Sequence, residues 1–502
     1  MKRNNIMTGA LILSIGGVLA KVFSAIYRIG LTRILGGEGI GIYQLVFPLY
    51  SLCVFLATAG LPMAISKIIA KHKNNGKSVV KKCMMFTAVI SLVLTLILLL
   101  GSKGLASLQG EESISICYVI LAPTIILVSG ASVLRGYFQG QENFTPSAVS
   151  NIMEQFVKLC VGLVLSLALL NVSLIASIIG AMISIVISEI VSVIILIFYY
   201  RRERGKTEEQ FDISIKEITK DIIPITLTNI IMPIATFIDS VLVVNLLSVN
   251  FTSSMSIFLY GLESGAVSSL VSLPTIFSFA IASVILPNIA LRTSEFNKNH
   301  KLSLSIKIVL IISVPCVLCF LLIPDRLIDL LYADRLNGMG VQGLNIAYRL
   351  LSISGIGIIF LAINQVYSSS LQAIDERYVT IRNLIIAVVL KFVIELLFMP
   401  SLHLNIYALA IANTVCYVTV MVLNHFEIKE HFALRINYIF TGKLILANSL
   451  MVLVLVGILS VTDSWVNTLL GLVVAAIVYL VSLYLLKIFN KKDSAMMKYK
   501  IR

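Results

Sequence analysis

The sequence predicts an all-α integral membrane protein: 14 transmembrane helices, two six-helix lobes in parallel pseudo-repeat plus two extra C-terminal helices. Three observations predict it. Fourteen apolar stretches fill the chain, the basic residues gather in alternate gaps between them, and the second half echoes the first. The stretches are 6–27, 40–66, 83–104, 114–137, 149–171, 174–200, 218–248, 264–290, 304–324, 342–373, 381–401, 404–426, 441–461 and 465–489. Most match the ~20 residues a helix needs to cross about 30 Å of hydrocarbon. Lipid offers backbone groups no partners, so only helices or closed barrels span it, and no strand-like alternation competes here.

Charge orients the bundle. With 58% apolar and 13% charged residues, no soluble class fits the chain. If the N-terminus lies in the cytosol, the inside segments hold 30 of the 39 Lys and Arg residues. Lys67, Lys71, Lys73, Lys77, Lys81 and Lys82 share one such loop, and Arg201, Arg202, Arg204, Lys206, Lys216 and Lys220 crowd another. The outside loops hold only Arg28, Arg33, Lys103, Arg326 and Arg335. This bias predicts a multi-pass protein of the cytoplasmic (inner) membrane with both termini cytosolic. It also accounts for the net charge of +14 without nucleic acid as a partner.

Taken in order, the first stretch follows Met-Lys-Arg-Asn-Asn and resembles a signal peptide, with Val18-Leu19-Ala20 as a weak cleavage site. Its removal would leave thirteen spans and break the repeat, so it reads as the first helix. The second span carries Pro48 and Pro62, echoed by Pro274 and Pro287 in the eighth. Each proline is read as removing a mid-helix donor, which makes it either a hinge of a transport cycle or a static kink. Residues 132–159 are echoed 233 positions later, placing Val133, Gln139 and Lys158 on Val366, Gln372 and Lys391. The lobes are then 1–200 and 218–426, joined by a linker at 201–217. Spans 13 and 14 at 441–489 and a basic tail at 490–502 follow. Transporters built from such repeats place the substrate path between lobes and rock one against the other.

The informative charges are those within spans, each costing at least ~2.5 kcal/mol at membrane depth. Lys21 lies inside the first span, with Arg28 at its outer end. Glu154 and Lys158 in the fifth, and Lys391 and Glu395 in the eleventh, are each four apart and able to pair locally. Glu189, Asp239 and Arg349 complete the set, while Arg135 and Glu263 are expected at helix ends in reach of water. One reading is a hydrated cavity offering cations to an anionic head group. The other is that the Glu/Lys pairs neutralise themselves and pin helices, with Arg349 snorkelling to the surface. Asp239 is a candidate site for a coupling proton or Na⁺, or a hydrogen-bond partner of Asn245.

Enzyme chemistry finds little support. The five histidines lie in loops or at span ends, and Gly76-Lys77-Ser78 lacks the strand and first glycine of a phosphate loop. Cys316 and Cys319 have metal or redox spacing but sit in an apolar run without a nearby histidine, as small buried residues would. No cofactor is expected beyond the coupling ion.

The runs at 26–50 (IYRIGLTRILGGEGIGIYQLVFPLY), 60–70 (GLPMAISKIIA) and 132–159 closely resemble the stage V sporulation protein B family. That family is part of the polysaccharide-flippase group, with the lipid II flippases, in the superfamily that also holds multidrug and toxin extruders. The resemblance extends along essentially the whole chain. It implies a flippase for an undecaprenyl-pyrophosphate-linked peptidoglycan precursor used in spore cortex synthesis. The implied partners are the lipid-linked oligosaccharide, membrane lipids and cell-wall synthases. It also implies diphosphate-binding roles for Lys21 and Arg28, the first a lysine where lipid II flippases carry arginine. Two other arginines of lipid II flippases are missing, at Ser51-Leu52 and across Val267-Ser268-Ser269-Leu270, and the Na⁺-site pattern is partly matched through Asp239. A cation-coupled multidrug exporter, expected to have an acid-dominated cavity, and a non-transporting scaffold for cell-wall assembly are the competing readings.

Overall fold

The computed structural model describes residues 2–58, 60–71, 76–202, 226, 230–290, 295–337, 343–434, 437–460 and 464–489. Among them every regular element is helical. The first seven helices are α1 (Lys2–Thr58), α2 (Leu61–Lys71), α3 (Gly76–Leu108), α4 (Ser115–Leu121), α5 (Thr124–Gly140), α6 (Thr145–Leu170) and α7 (Leu174–Arg202). There follow α8 (Ile231–Leu247), α9 (Ser253–Gly261), α10 (Ser268–Ala290), α11 (Glu295–Leu322), α12 (Pro324–Tyr332), α13 (Gly343–Ala373), α14 (Arg377–Phe398), α15 (Tyr407–His431), α16 (Tyr438–Leu459) and α17 (Trp465–Leu485). Eleven segments among the described residues are long and apolar enough to cross a membrane, by length and composition. The first of these, Gly16–Ala70, has 55 residues, more than twice what one crossing takes. Apolar side chains such as Leu100, Val164, Leu453 and Leu480 are exposed, a hazard in water and the natural surface in lipid.

Glycine divides the first segment. Gly36 adopts φ 68°, a left-handed conformation that costs glycine almost nothing, and it breaks α1 into two rods. Gly60, at φ 77°, precedes α2, and its carbonyl accepts from the amide of Ala64 at 2.9 Å. Pro62 is therefore the second residue of a new helix, where its missing donor has no intrahelical partner to lose. This corrects the mid-helix reading of Pro62. Pro48 does lie inside α1, Pro274 is buried in α10, and the backbone of Pro287 continues α10.

Two compact units divide the chain: residues 1–269, 335–343 and 395–409 in the first, and 270–334, 344–394 and 410–502 in the second. Of the expected linker and tail, residues 203–217 and 490–502 lie outside the described residues, as do 218–225 and 227–229 of the seventh span.

In the first unit, α6 packs along α7 and α1 through small residues. Ser177 donates to the Ser166 carbonyl at 2.7 Å and Ser166 returns a bond to the Ser177 carbonyl at 3.2 Å. A Cβ on Gly180 would lie 3.0 Å from the Leu165 backbone. Glycine also joins the second rod of α1 to α9 and to the π-helical turn Leu262–Val267 that follows it. A Cβ on Gly41 would come 2.2 Å from the Ile257 carbonyl oxygen, and one on Gly261 would come 2.1 Å from that of Gly37. Gly37 and Gly41 thus face Gly261, with Gly265 against Ile40: the small-xxx-small packing that lets helices meet backbone to backbone in lipid. Glu263, expected at a helix end near water, lies within this turn and is buried, because the π turn continues directly into α10.

In the second unit, a ladder of amides crosses three helices. Asn424 of α15 donates to Asn364 of α13 at 2.8 Å and accepts from Asn383 of α14 at 2.9 Å. Tyr479 of α17 donates to the Ile311 carbonyl at 2.7 Å, and α16 and α17 pack as a hairpin. Val133, Leu134 and Phe138 belong to the buried cluster of the first unit. Val366, Tyr367 and Leu371, each 233 positions later, belong to that of the second.

Candidate functional site: an intramembrane ion cluster

The first unit gathers charges from α1, α5, α6 and α7. Arg135, on the inner face of α5, bonds Glu154 of α6 at 2.7 Å and Ser192 of α7 at 2.9 Å, with Ser150 at 3.4 Å from its Nε. Its side chain is only 20% exposed and that of Glu154 only 12%, so the pair is largely out of solvent. Gln155 donates to the other Glu154 oxygen at 2.9 Å. This corrects two expectations. Arg135 does not sit at a helix end, and it, rather than Lys158, pairs with Glu154. The reason is geometric: packing brings α5 across α6, and a guanidinium fork reaches a carboxylate and a hydroxyl together.

Lys158, one turn beyond Glu154, instead places its ammonium 5.2 Å from the ring centroids of both Tyr27 and Phe47. Two ring faces with desolvated surroundings stabilise an ammonium by about 2 kcal/mol or more each. Glu154 and Glu189 act on Lys158 electrostatically as opposite charges, and Arg28 as a like one. The box is itself held. Tyr27 bonds Ser184 of α7 and lies against Gly162, where a Cβ would come 2.5 Å from its ring. Tyr43 donates to Tyr27 at 3.5 Å and its ring lies tilted against Phe47, 4.7 Å between centroids. Phe47 meets Tyr50 edge-on at 6.2 Å, and Tyr50 shares a 2.9 Å hydrogen bond with Thr124. Arg28 is half-buried and donates to the Ser264 carbonyl in the π turn. Lys21, two turns earlier on α1, is exposed.

Asp239 lies elsewhere in this unit. It is buried on α8 beside Ser240, which accepts from Gln109 at 2.7 Å; Gln109 also donates to the Leu45 carbonyl at 2.9 Å. Asn245 directs its amide to the carbonyls of Leu108 and Val241, at 2.9 and 2.7 Å. On α14, Lys391 and Glu395 are both buried, and the Lys391 ammonium lies 5.8 Å from the Phe392 ring centroid. Arg349 is exposed on α13.

Sequence reasoning passed over three participants in this cluster. Tyr27, Phe47 and Tyr50 carry no signal in an apolar run, because only tertiary packing brings Tyr27 and Phe47 to Lys158 and Tyr50 to Thr124. In the second unit, Lys307 of α11, buried 5.7 Å from the Phe440 ring, stood too near the start of its span to be told from a loop lysine.

Comparison with known proteins places the chain. The model of the polysaccharide biosynthesis protein family matches residues 6–291. The membrane protein YabM of Bacillus subtilis is 28% identical over 326 residues, covering 62% of this chain and 61% of YabM. Stage V sporulation protein B of the same organism is 32% identical over 166 residues, 32% of each chain. Both alignments span less than two thirds of those relatives. Lipid II flippase MurJ of B. subtilis is 22% identical over 499 residues, covering 93% of this chain and 89% of that one. Among solved structures, a lipid II flippase MurJ in an inward closed conformation superposes with TM-score 0.69 at 16% identity, covering 94% of this chain and 98% of that one. An inward-facing multidrug resistance transporter superposes with TM-score 0.64 at 15% identity, covering 84% and 98%. The fold is that of these membrane transporters.

Proposed function

The chain belongs to the polysaccharide biosynthesis protein family, and we propose that it is a flippase for a lipid-linked saccharide precursor of the cell wall. In this reading it crosses the cytoplasmic membrane fourteen times with cytosolic termini and works by alternating access. Its substrate is an undecaprenyl-pyrophosphate-linked peptidoglycan precursor for spore cortex, and cell-wall synthases receive the product. Asp239 serves the coupling ion, Na⁺ or a proton. The prolines at 48, 274 and 287 are the candidate hinges.

One observation carries the reading: the ammonium of Lys158, enclosed by Tyr27 and Phe47 in an apolar bundle, with Arg28 acting on it. Placing a cation at membrane depth costs free energy that a purely structural element has no need of. A head group of sugar and diphosphate needs cations for its phosphates and flat apolar rings for its sugars, while its tail stays in lipid. Lys21, Arg28, Glu154, Arg349, Lys391 and Glu395 are further candidate head-group residues. The test is a translocation assay with purified protein in vesicles, offering lipid II and following its appearance on the opposite leaflet. Simultaneous neutralisation of Lys21, Arg28, Lys158 and Lys391 is expected to abolish transport while the protein still inserts. Normal transport by that variant rejects the mechanism.

A cation-coupled multidrug exporter is the second reading, favoured by the likeness to the multidrug transporter. It requires that a carboxylate replace the lysine as the binding group, so Lys158→Gln would leave export intact.

A further inference from the structure

Glu189 stands apart in the cluster. It is 8% exposed, and among the described residues its Oε2 is buried without a hydrogen-bond partner. Every element packed on α7 presents charged or titratable groups to consider. From α6 come Glu154 and Lys158, and from α5 comes Arg135, all three acting on Glu189 electrostatically. From α1 comes Tyr50, which feels its charge. Tyr27, Tyr43, Cys53 and Arg28 are the other such groups of that stretch of α1. From α4 come Cys117 and Tyr118, the latter giving its hydroxyl to Gln109. On α7 itself the remaining charges, Arg201 and Arg202, are three turns away at its end.

Neither nearby cation donates to Glu189. Arg135 is committed to Glu154 and Ser192, and Lys158 lies between two rings. A buried carboxylate oxygen lacking a donor is costly, and a bound proton removes that charge. Two cations nearby pull the other way. Opposed influences of this kind leave a group able to exchange a proton at little cost.

We propose that Glu189 is a proton-binding site within the first unit, and that its occupancy sets the charge presented to an anionic head group. With Glu189 ionised, Arg135 and Lys158 balance Glu154 and Glu189. With the proton bound, one positive charge is in excess. An arriving diphosphate is favoured by that excess, so by linkage its binding draws a proton from water. The second half of the proposal rests on the flippase reading; the first does not.

The test therefore has two arms. In the first, the purified full-length protein is titrated without substrate and its carboxylic acid C=O infrared band is followed. A band that titrates in the wild type and is lost in Glu189→Gln is expected. A wild type with no titrating band overturns the site without recourse to any variant, as does a band that persists unchanged in Glu189→Gln. In the second arm, undecaprenyl pyrophosphate is added to weakly buffered protein with a pH-sensitive dye. Proton uptake by the wild type and its loss in Glu189→Gln are expected. A titrating band without uptake overturns the linkage to the diphosphate while upholding the proton site.

Discussion

The ammonium of Lys158 stands 5.2 Å from the ring of Tyr27 and, equally, 5.2 Å from that of Phe47. Both rings come from α1 and the lysine from α6, so the contact exists only once these helices have packed. Replacing either ring by leucine keeps apolar volume but removes the quadrupole, worth about 2 kcal/mol in a desolvated site. Tyr27→Leu and Phe47→Leu should each destabilise the protein by about 2 kcal/mol, read as a lower thermal midpoint in detergent. Lys158→Gln should weaken binding of undecaprenyl pyrophosphate more than either, and titration calorimetry in detergent distinguishes the three.

The Arg135–Glu154 pair makes a different prediction. Breaking a buried pair from one side strands the other charge, at about 3–5 kcal/mol. Glu154→Gln and Arg135→Gln should each lower the thermal midpoint in detergent sharply. The double variant should recover part of the loss, and a double-mutant cycle returning a coupling below ~0.5 kcal/mol would contradict the pairing.

The glycine seam is testable by alanine. Gly41→Ala would drive a methyl to 2.2 Å from the Ile257 carbonyl, and Gly261→Ala to 2.1 Å from that of Gly37. Each should destabilise by about 1–3 kcal/mol, the usual cost of overpacking. Gly457, whose Cβ would meet nothing within 4 Å in α16, is the control: its alanine variant should gain up to about 1 kcal/mol. Differential scanning fluorimetry reads all three.

Asn424 joins α13, α14 and α15 by two amide bonds at 2.8 and 2.9 Å. Hydrogen bonds between helices in lipid average only about 0.6 kcal/mol. Asn424→Leu should therefore cost about 1–2 kcal/mol, by the same thermal measurement, and leave the fold intact. A much larger loss would mean that the second unit depends on the ladder for its fold rather than being merely locked by it.

The membrane class was legible because the bilayer imposes its helices one segment at a time. A helix in lipid satisfies its own backbone, so an apolar run of sufficient length is its own argument. The intramembrane charges were equally visible, since Lys158, Glu154 and Glu189 stand out in apolar surroundings. Their partners were not. Spacing of four within α6 offered Lys158 to Glu154, a local contact that any single helix can make.

Tertiary packing decided otherwise. Arg135 from α5 took Glu154, two rings from α1 took Lys158, and one oxygen of Glu189 was left without a donor among the described residues. Likewise Gly36 and Gly60 set where α1 turns and ends, which made Pro62 a helix start instead of a kink. Hydropathy is a property of one segment and survives its isolation. The pairing of charges depends on which helix crosses which, at what height and on which face, and that is resolved only when small residues let backbones meet.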